Sequence, residues 1–230
     1  MIISCVTFLY IRLEICWEDL SEIHERLLYN GPGTIGDVEA DIGLECATSS
    51  FSHIYLLTED GTIHTDTHTT YRPGDGTADR MPDLRPYFAN GKEKVVARAG
   101  RDTIFYGIRI DDRLTDGTAL SALIGISDTS AIQDNMVIDS FIKDGQSRGH
   151  SALIDRNGNY IVDINKKVYE NDQNNLFVHL SESDDPELTN EEVAEKLNNS
   201  EVFGFYHSHD DGDGKELFYF LPFKGDMDLY

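Results

Sequence analysis

The chain has 230 residues, 40% hydrophobic and 10% aromatic, the composition of a folded protein with one large core or two small ones. Its 42 acidic and 19 basic residues leave a formal charge of −23. Such a surface repels phosphate backbones and argues against nucleic acid as a partner; it favours solubility and, on a sharper reading, attraction of a cationic ligand. The three cysteines, Cys5, Cys16 and Cys46, contain no Cys-x-x-Cys pair and make no disulfide framework.

Residues 1–11 are apolar apart from Ser4 and Thr7, too few to span a bilayer alone, and no Ala-x-Ala cleavage site follows. They fit either the outer end of a membrane helix or the start of a buried one. Behind them runs a stripe of Ile2, Val6, Leu9, Leu13, Cys16, Leu20, Ile23 and Leu27, spaced alternately by four and three. This is the seam of a long helix that packs along one side, either on its own domain or against a second copy in a dimer. Gly31 and Gly33, flanking Pro32, end it. A second, shorter helix is expected over 35–50.

Residues 53–66 then align without a gap on residues 150–163, 97 positions later. Each stretch is an apolar run, an Asp-Gly or Asn-Gly turn and a second extended run, hence a β-hairpin. That spacing suits two small domains in tandem. The polar segment 67–82 is long for a structureless connection and is a candidate ligand loop. A short helix with an early proline follows at 83–89, then strands at 94–99, 103–110 and 120–127, giving a five-stranded antiparallel sheet. In the middle strand Ile104, Tyr106, Ile108 and Ile110 share one face and Phe105 and Arg109 the other.

A connecting helix is expected over 129–143, with Ile132, Met136 and Phe141 on its inner side, and a domain boundary at 145–149. After the second hairpin, 175–181 and 190–199 read as helices, the latter opened by a Thr189–Glu192 capping box. Strands are expected at 201–207 and 215–223, so the second half repeats the order of the first. The run 218–230 reads as a strand, a turn and the beginning of another strand, the expectation being that the natural protein continues. The domains expected are thus an N-terminal helix over 1–30, a first unit over 31–145 and a second over 146–230: an α+β chain of two PAS-like antiparallel units behind one long helix.

This layout, with the motif Arg85-Pro-Tyr-Phe88, resembles the double Cache domain, the tandem PAS-like extracytoplasmic sensor of bacterial transmembrane receptors. The resemblance covers almost the whole chain and implies a sensor, not an enzyme, with the ligand on the sheet of the membrane-distal first unit. Carried over, Arg85 faces a ligand carboxylate, Tyr87 and Phe88 wall the site and Tyr106 offers a hydroxyl. Amino-acid-binding members hold the ligand amine with an aspartate after the last strand. Here Ser127 stands at that place and Asp128 one step on, which turns a side chain to the opposite face. The motif's preceding tyrosine is replaced by Arg80. Tyr71 from the loop and Asp66 from the hairpin end are further candidates. The resemblance also implies a small-molecule ligand such as an amino acid or carboxylate, a homodimer through the N-terminal helix and membrane anchorage on the extracytoplasmic side. It implies no cofactor. The output module is a histidine kinase, a diguanylate cyclase or a chemotaxis module.

Two rival readings stand beside it. Residues 204–209 look like the Gly-Trp-Tyr-His-Ser-His element of JAMM zinc isopeptidases, with His207 and His209 as metal ligands. The Ser-x-x-Asp that should follow is replaced at Leu217 and Phe220, so the third ligand is missing. The other rival is a structural dimerisation module that binds nothing. The acidic turns at 155–159 and 210–214 break the calcium-loop pattern and read as hairpin turns. His64, Asp66 and His68 alternate along one strand and can share a face as metal ligands, against the plainer reading of solvated hairpin polarity.

Overall fold

The computed structural model describes residues 2–29, 31, 33–73, 84–98, 103–130, 132, 142–143, 146–147, 151–163, 175–181, 187–208, 215–223 and 229. The chain divides into two compact units, Ile11–Thr129 and a second made of Met1–Tyr10 with Ser130–Tyr230.

The first unit is built on helix α1 (Ile2–Leu28), which supplies its residues from Ile11 onward. From Leu13 the stripe is buried: Leu13, Cys16, Leu20, Ile23 and Leu27, widened by Trp17. A helix that buries this stripe in its own chain leaves the outward side, with Ile11 at 49% and Ile15 at 40% exposure, for anything else. Helix α2 (Ile35–Thr48) starts at a capping box in which the Thr34 hydroxyl accepts from the Asp37 N–H and the Asp37 carboxylate accepts from the Thr34 N–H. It buries Val38 and Ile42.

Strands β1 (His53–Thr58), β2 (Ile63–Thr65), β3 (Thr70–Tyr71), β4 (Lys94–Arg98), β5 (Thr103–Arg109) and β6 (Leu120–Asp128) form one sheet in the order β3-β2-β1-β6-β5-β4, every pair antiparallel. The sequence leads to five strands; the sixth is β3. It forms because the chain reverses at Thr65–Thr69: the Thr65 N–H donates to the Thr69 carbonyl, the Thr69 N–H donates to the Thr65 hydroxyl, and His68 takes a left-handed φ of 56°. A 3₁₀ helix (Arg85–Gly91), with Pro86 near its start, precedes β4.

One face of this sheet belongs to the helices. The Trp17 indole N–H donates to the Val95 carbonyl at 3.0 Å, Lys94 meets Glu14 at 2.6 Å, and His64 meets Glu39 of α2 at 2.6 Å. By register, Ile54, Leu56, Ile104, Tyr106 and Leu123 share this side and are buried. The other face carries its own cluster of Leu57, Ile63, Val95, Phe105, Ala122, Ile124 and Ile126, roofed by Leu84 and Phe88 from the segment around the 3₁₀ helix.

In the second unit Ile142–Lys143 is extended, not helical: this strand, β7, pairs with β8 (Gln146–Ser147). The expected connecting helix does not extend to Ile142–Lys143, where β-branched Ile142 favours an extended backbone. Thr129 and Ile132 are buried; Met136, Phe141 and the rest of 133–141 lie outside the described residues. Strands β9 (Ala152–Ile154) and β10 (Tyr160–Asp163), helices α3 (Leu176–Leu180) and α4 (Asn190–Asn198), and strands β11 (Phe203–Ser208) and β12 (Lys215–Phe220) follow. Thr189 and Glu192 cap α4 as a capping box. Phe203, Phe205 and Phe220 stack within a core shared with Ile154, Leu176, Val193 and Leu197.

The repeated hairpins fold alike. Thr58 N–H donates to the Thr62 carbonyl and Gly61 N–H to the Thr58 carbonyl, both at 2.9 Å. Their counterparts 97 positions on, Asp155 to Asn159 at 3.0 Å and Gly158 to Asp155 at 2.9 Å, are the same bonds. Gly61 and Gly158 occupy the left-handed region at φ 88° and 76°, which a residue with a Cβ enters at a cost. Leu57 pairs with Ile63 and Ile154 with Tyr160, the same register, after which β10 shifts by one residue. Asp155 is a turn residue: its carboxylate accepts from the N–H groups of Asn157 and Asn159.

Candidate functional site

The face of the first sheet turned away from α1 and α2 gathers most of the aromatic side chains singled out in the sequence. Its floor follows from strand alternation: Tyr55 and Leu57 on β1, Ala122, Ile124, Ile126 and Asp128 on β6, Thr103, Phe105 and Gly107 on β5, and Val95 and Ala97 on β4. Its roof is the 3₁₀ helix. Phe88 is buried directly over Gly107, where a Cβ would come within 2.5 Å of the ring. Glycine in a strand interior here lets an aromatic ring rest on the backbone. Tyr87 stands edge-on to Phe105, with ring centroids 5.0 Å apart at 88°, and is 38% exposed.

The residues expected around one ligand separate in the structure. Tyr71, which pairs with Ile63, packs against the apolar cluster of this face together with Phe88. Tyr87 meets the same face through Phe105. Asp128 is on it by register and is exposed. Tyr106 is on the opposite face, 1% exposed, with its hydroxyl against the Cys16 thiol and its ring near Phe51. Burial, and then Cys16, push the Tyr106 hydroxyl far above its ordinary pKa, so it is a neutral core group. Ser127 pairs with Ile104 and shares that helix-facing side. Arg85 is exposed; its guanidinium lies over the hairpin turn, against Gly61, and donates to the Asp60 carbonyl at 3.4 Å.

Asp66, at the end of β2, has a side chain only 10% exposed and holds His53 at 3.2 Å. It acts on two neighbours. Burial, followed by the Asp66 charge, pushes the Tyr55 hydroxyl up to about 12. Burial, followed again by Asp66, pushes the Cys46 thiol up to about 11. Tyr55 is not among the sequence candidates, although the alternation of His53, Tyr55 and Leu57 against Ile54 and Leu56 puts it on one face of β1 with Leu57. Gly107 inside a strand was a second such signal.

His64 is engaged by Glu39 and Asp66 by His53. Among the described residues no group of three His, Cys, Asp or Glu side chains is placed to hold a metal. His207 belongs to β11, while His209 and 210–214 lie outside the described residues. Among the described residues no helix is long and apolar enough to cross a membrane.

No family model and no curated protein matches the sequence. Solved structures do match the fold. The ligand-binding domain of the Pseudomonas aeruginosa PAO1 amino acid chemoreceptor PctC, in complex with GABA, superposes with a TM-score of 0.63 at 13% identity, covering 99% of this chain and 92% of that one. The ligand-binding domain of the Pseudomonas fluorescens chemoreceptor CtaA, in complex with L-isoleucine, gives 0.63 at 11% identity, with 99% and 85% covered. That of PctB from Pseudomonas aeruginosa PAO1, in complex with L-Gln, gives 0.52 at 16% identity, with 94% and 85% covered. At these identities the likeness is one of fold, and it extends over nearly the whole chain: a long N-terminal helix and two sheet units, the fold of a Cache sensor domain.

Proposed function

We propose that this chain is the extracytoplasmic ligand-sensing portion of a bacterial signal-transduction receptor, a sensor and not itself an enzyme. The ligand is a small molecule of the amino acid or carboxylate class, held in the unit Ile11–Thr129, which takes the membrane-distal role. The observation that carries this reading is the aromatic face of that unit, roofed by the 3₁₀ helix at Tyr87 and Phe88, in a fold shared with domains solved with GABA, L-isoleucine and L-Gln. Tyr71, Tyr87, Phe88 and Asp128 are the expected residues that this face carries. A ligand signals only by binding one of two arrangements better than the other. Here the element able to pass that preference on is α1, which packs on the same sheet from behind. Membrane anchorage and a homodimer through α1 complete the proposal, with contact between copies made by the outward side that bears Ile11 and Ile15. The output module is a kinase, a cyclase or a chemotaxis module.

The test is a thermal-shift screen of amino acids, amines and organic acids on the wild type and on Tyr87→Ala, which alters an exposed ring. At least one compound should raise the midpoint in the wild type, with a reduced shift in the variant. A flat response to every compound would leave the structural dimerisation reading in its place.

A further inference from the structure

The two repeated hairpins are alike, but their neighbours differ. In the first unit the nine-residue strand β6 stands between β1 and β5 and pairs with both. It begins at Leu120, which pairs with Thr58 and donates its N–H to the Asp112 carbonyl beyond β5 at 2.8 Å. In the second unit β9 and β12 hold the places of β1 and β5 in chain order. Among the described residues β9 pairs with β10 alone and β12 with β11 alone. Leu229 marks the place of a strand between them. It bridges to Asp155, the residue 97 positions after Thr58, and its carbonyl accepts from the Phe223 N–H beyond β12 at 2.9 Å. The backbone groups of both flanking strands turn toward this place. The Tyr206 N–H donates to Glu187 at 2.8 Å and so points away from β12. Antiparallel pairs alternate between bonded and non-bonded, so its opposite residue Leu217, and Tyr219 after it, aim their backbone groups away from β11. On β9 the Asp155 N–H donates to Asn159, so the groups of Ile154 face the other way.

We infer that the second unit is a strand acceptor: between β9 and β12 it binds an extended peptide segment, antiparallel to both, entering beside Leu229. The chemistry of that segment follows from the side chains it would lie among. On one face Ile154 and Phe220 belong to a single core, with Ala152 and Phe218 half-buried at its margin. In the first unit the equivalent interval is filled by Ala122, Ile124 and Ile126 of β6, which lie between Leu57 and Phe105. On the other face Leu217 and Tyr219 are more than half exposed, whereas β5, with a strand on each side, is buried from Ile104 to Ile108. The segment is therefore uncharged, with aliphatic residues at alternate positions and small ones between them. β6 has this composition, with no charged residue from Leu120 to Ser127. A strand added in this way gains backbone bonds on both of its edges, and the alternate side chains select it.

The test is hydrogen exchange over 152–155 and 215–220 in the whole chain, with and without a synthetic peptide of the β6 sequence, Leu120 to Asp128, extended by lysines for solubility. Exchange at the Ile154, Leu217 and Tyr219 amides should be fast without the peptide and should slow saturably as it is added. The same peptide with proline in place of Ala122 and Ile124 should not bind, because a strand paired on both sides uses every N–H. In the protein, Leu217→Pro removes an N–H that β11 does not use, so the β11–β12 hairpin keeps its bonds. Slow exchange at Phe218 and Phe220 verifies this, and the Kd for the peptide should rise about tenfold or more. Slow exchange at Leu217 and Tyr219 without peptide, at every protein concentration, would mean that other residues of this chain fill the place, and overturns the inference. Slowing that grows with protein concentration would assign the place to a second copy and overturns it as well. A β6 peptide that does not bind, or that binds no better than its proline form, has the same consequence. None of these outcomes bears on ligand sensing by the first unit.

Discussion

Gly107→Ala tests the architecture of the candidate site. The added Cβ would lie 2.5 Å from Phe88 Cζ and 2.8 Å from Val95 Cγ2, well inside van der Waals contact. Both neighbours are buried, so neither can swing aside into solvent, and overpacking of this kind costs about 1–3 kcal/mol. For a unit of about a hundred residues, 1 kcal/mol moves Tm by roughly 4 °C, so a fall of about 4–12 °C is expected. Trp17, the only tryptophan, is buried in this unit on the far side of the sheet and serves as its fluorescent reporter. Phe88→Leu removes the ring atoms that the methyl group meets, so the double variant Gly107→Ala/Phe88→Leu should lose less stability than the sum of the two singles. Gly36→Ala, whose Cβ has its nearest neighbour 3.9 Å away, is the control and should be neutral or slightly stabilising. The reasoning fails if Gly107→Ala melts within about 1 °C of the wild type, or if the two substitutions simply add.

Trp17→Phe removes the indole bond to the Val95 carbonyl and part of the packing between α1 and β4; a loss of about 1–3 kcal/mol is expected in urea unfolding followed by circular dichroism. Thr189→Ala removes the hydroxyl that caps α4 and should cost the second unit about 1 kcal/mol, seen as faster hydrogen exchange in 190–198 with the first unit unaffected. Acid should weaken the first hairpin. The Thr58 hydroxyl and then the Thr62 N–H hold the Asp60 carboxyl below its ordinary pKa, so its contribution is complete above about pH 4–5 and is lost as pH falls through the lowered native value. Melting between pH 6 and pH 3 should show a shallower decline in Asp60→Asn than in the wild type, and equal slopes would contradict this.

Local pattern carried much of the fold. The four-three stripe ends α1 at Leu28 because the next residues, with Gly31 and Gly33, cannot continue a helix. The repeated hairpins were legible because Asp-Gly and Asn-Gly supply the positive φ that the turn requires, and the structure repeats the bonds and the register across both copies. The capping box at Thr189 reads directly from four residues. β3 was not legible: it depends on a reversal built from threonine hydroxyls and on His68 in a left-handed conformation, which no residue type there announces. Ile142–Lys143 was not legible as a strand because one apolar and one basic residue fit a helix end as well as an extended pair.

The site divides along the same line. Period-two alternation already puts Phe105 and Tyr106 on opposite faces, and Ser127 and Asp128 likewise, for any register of the strands. Which face meets α1 is a matter of tertiary packing. Once Trp17 and Cys16 occupy one side, Tyr106 and Ser127 go with the helices, and Phe105 and Asp128 go with Tyr87 and Phe88. The destination of the Arg85 guanidinium is likewise beyond local pattern, because it depends on the hairpin turn 25 positions earlier in the chain coming within its reach. Sequence alone determined the elements and their alternation, since these follow from backbone geometry over a few residues. Only the folded chain decided which alternating set became core and which became site, since that choice belongs to contacts between residues far apart in sequence.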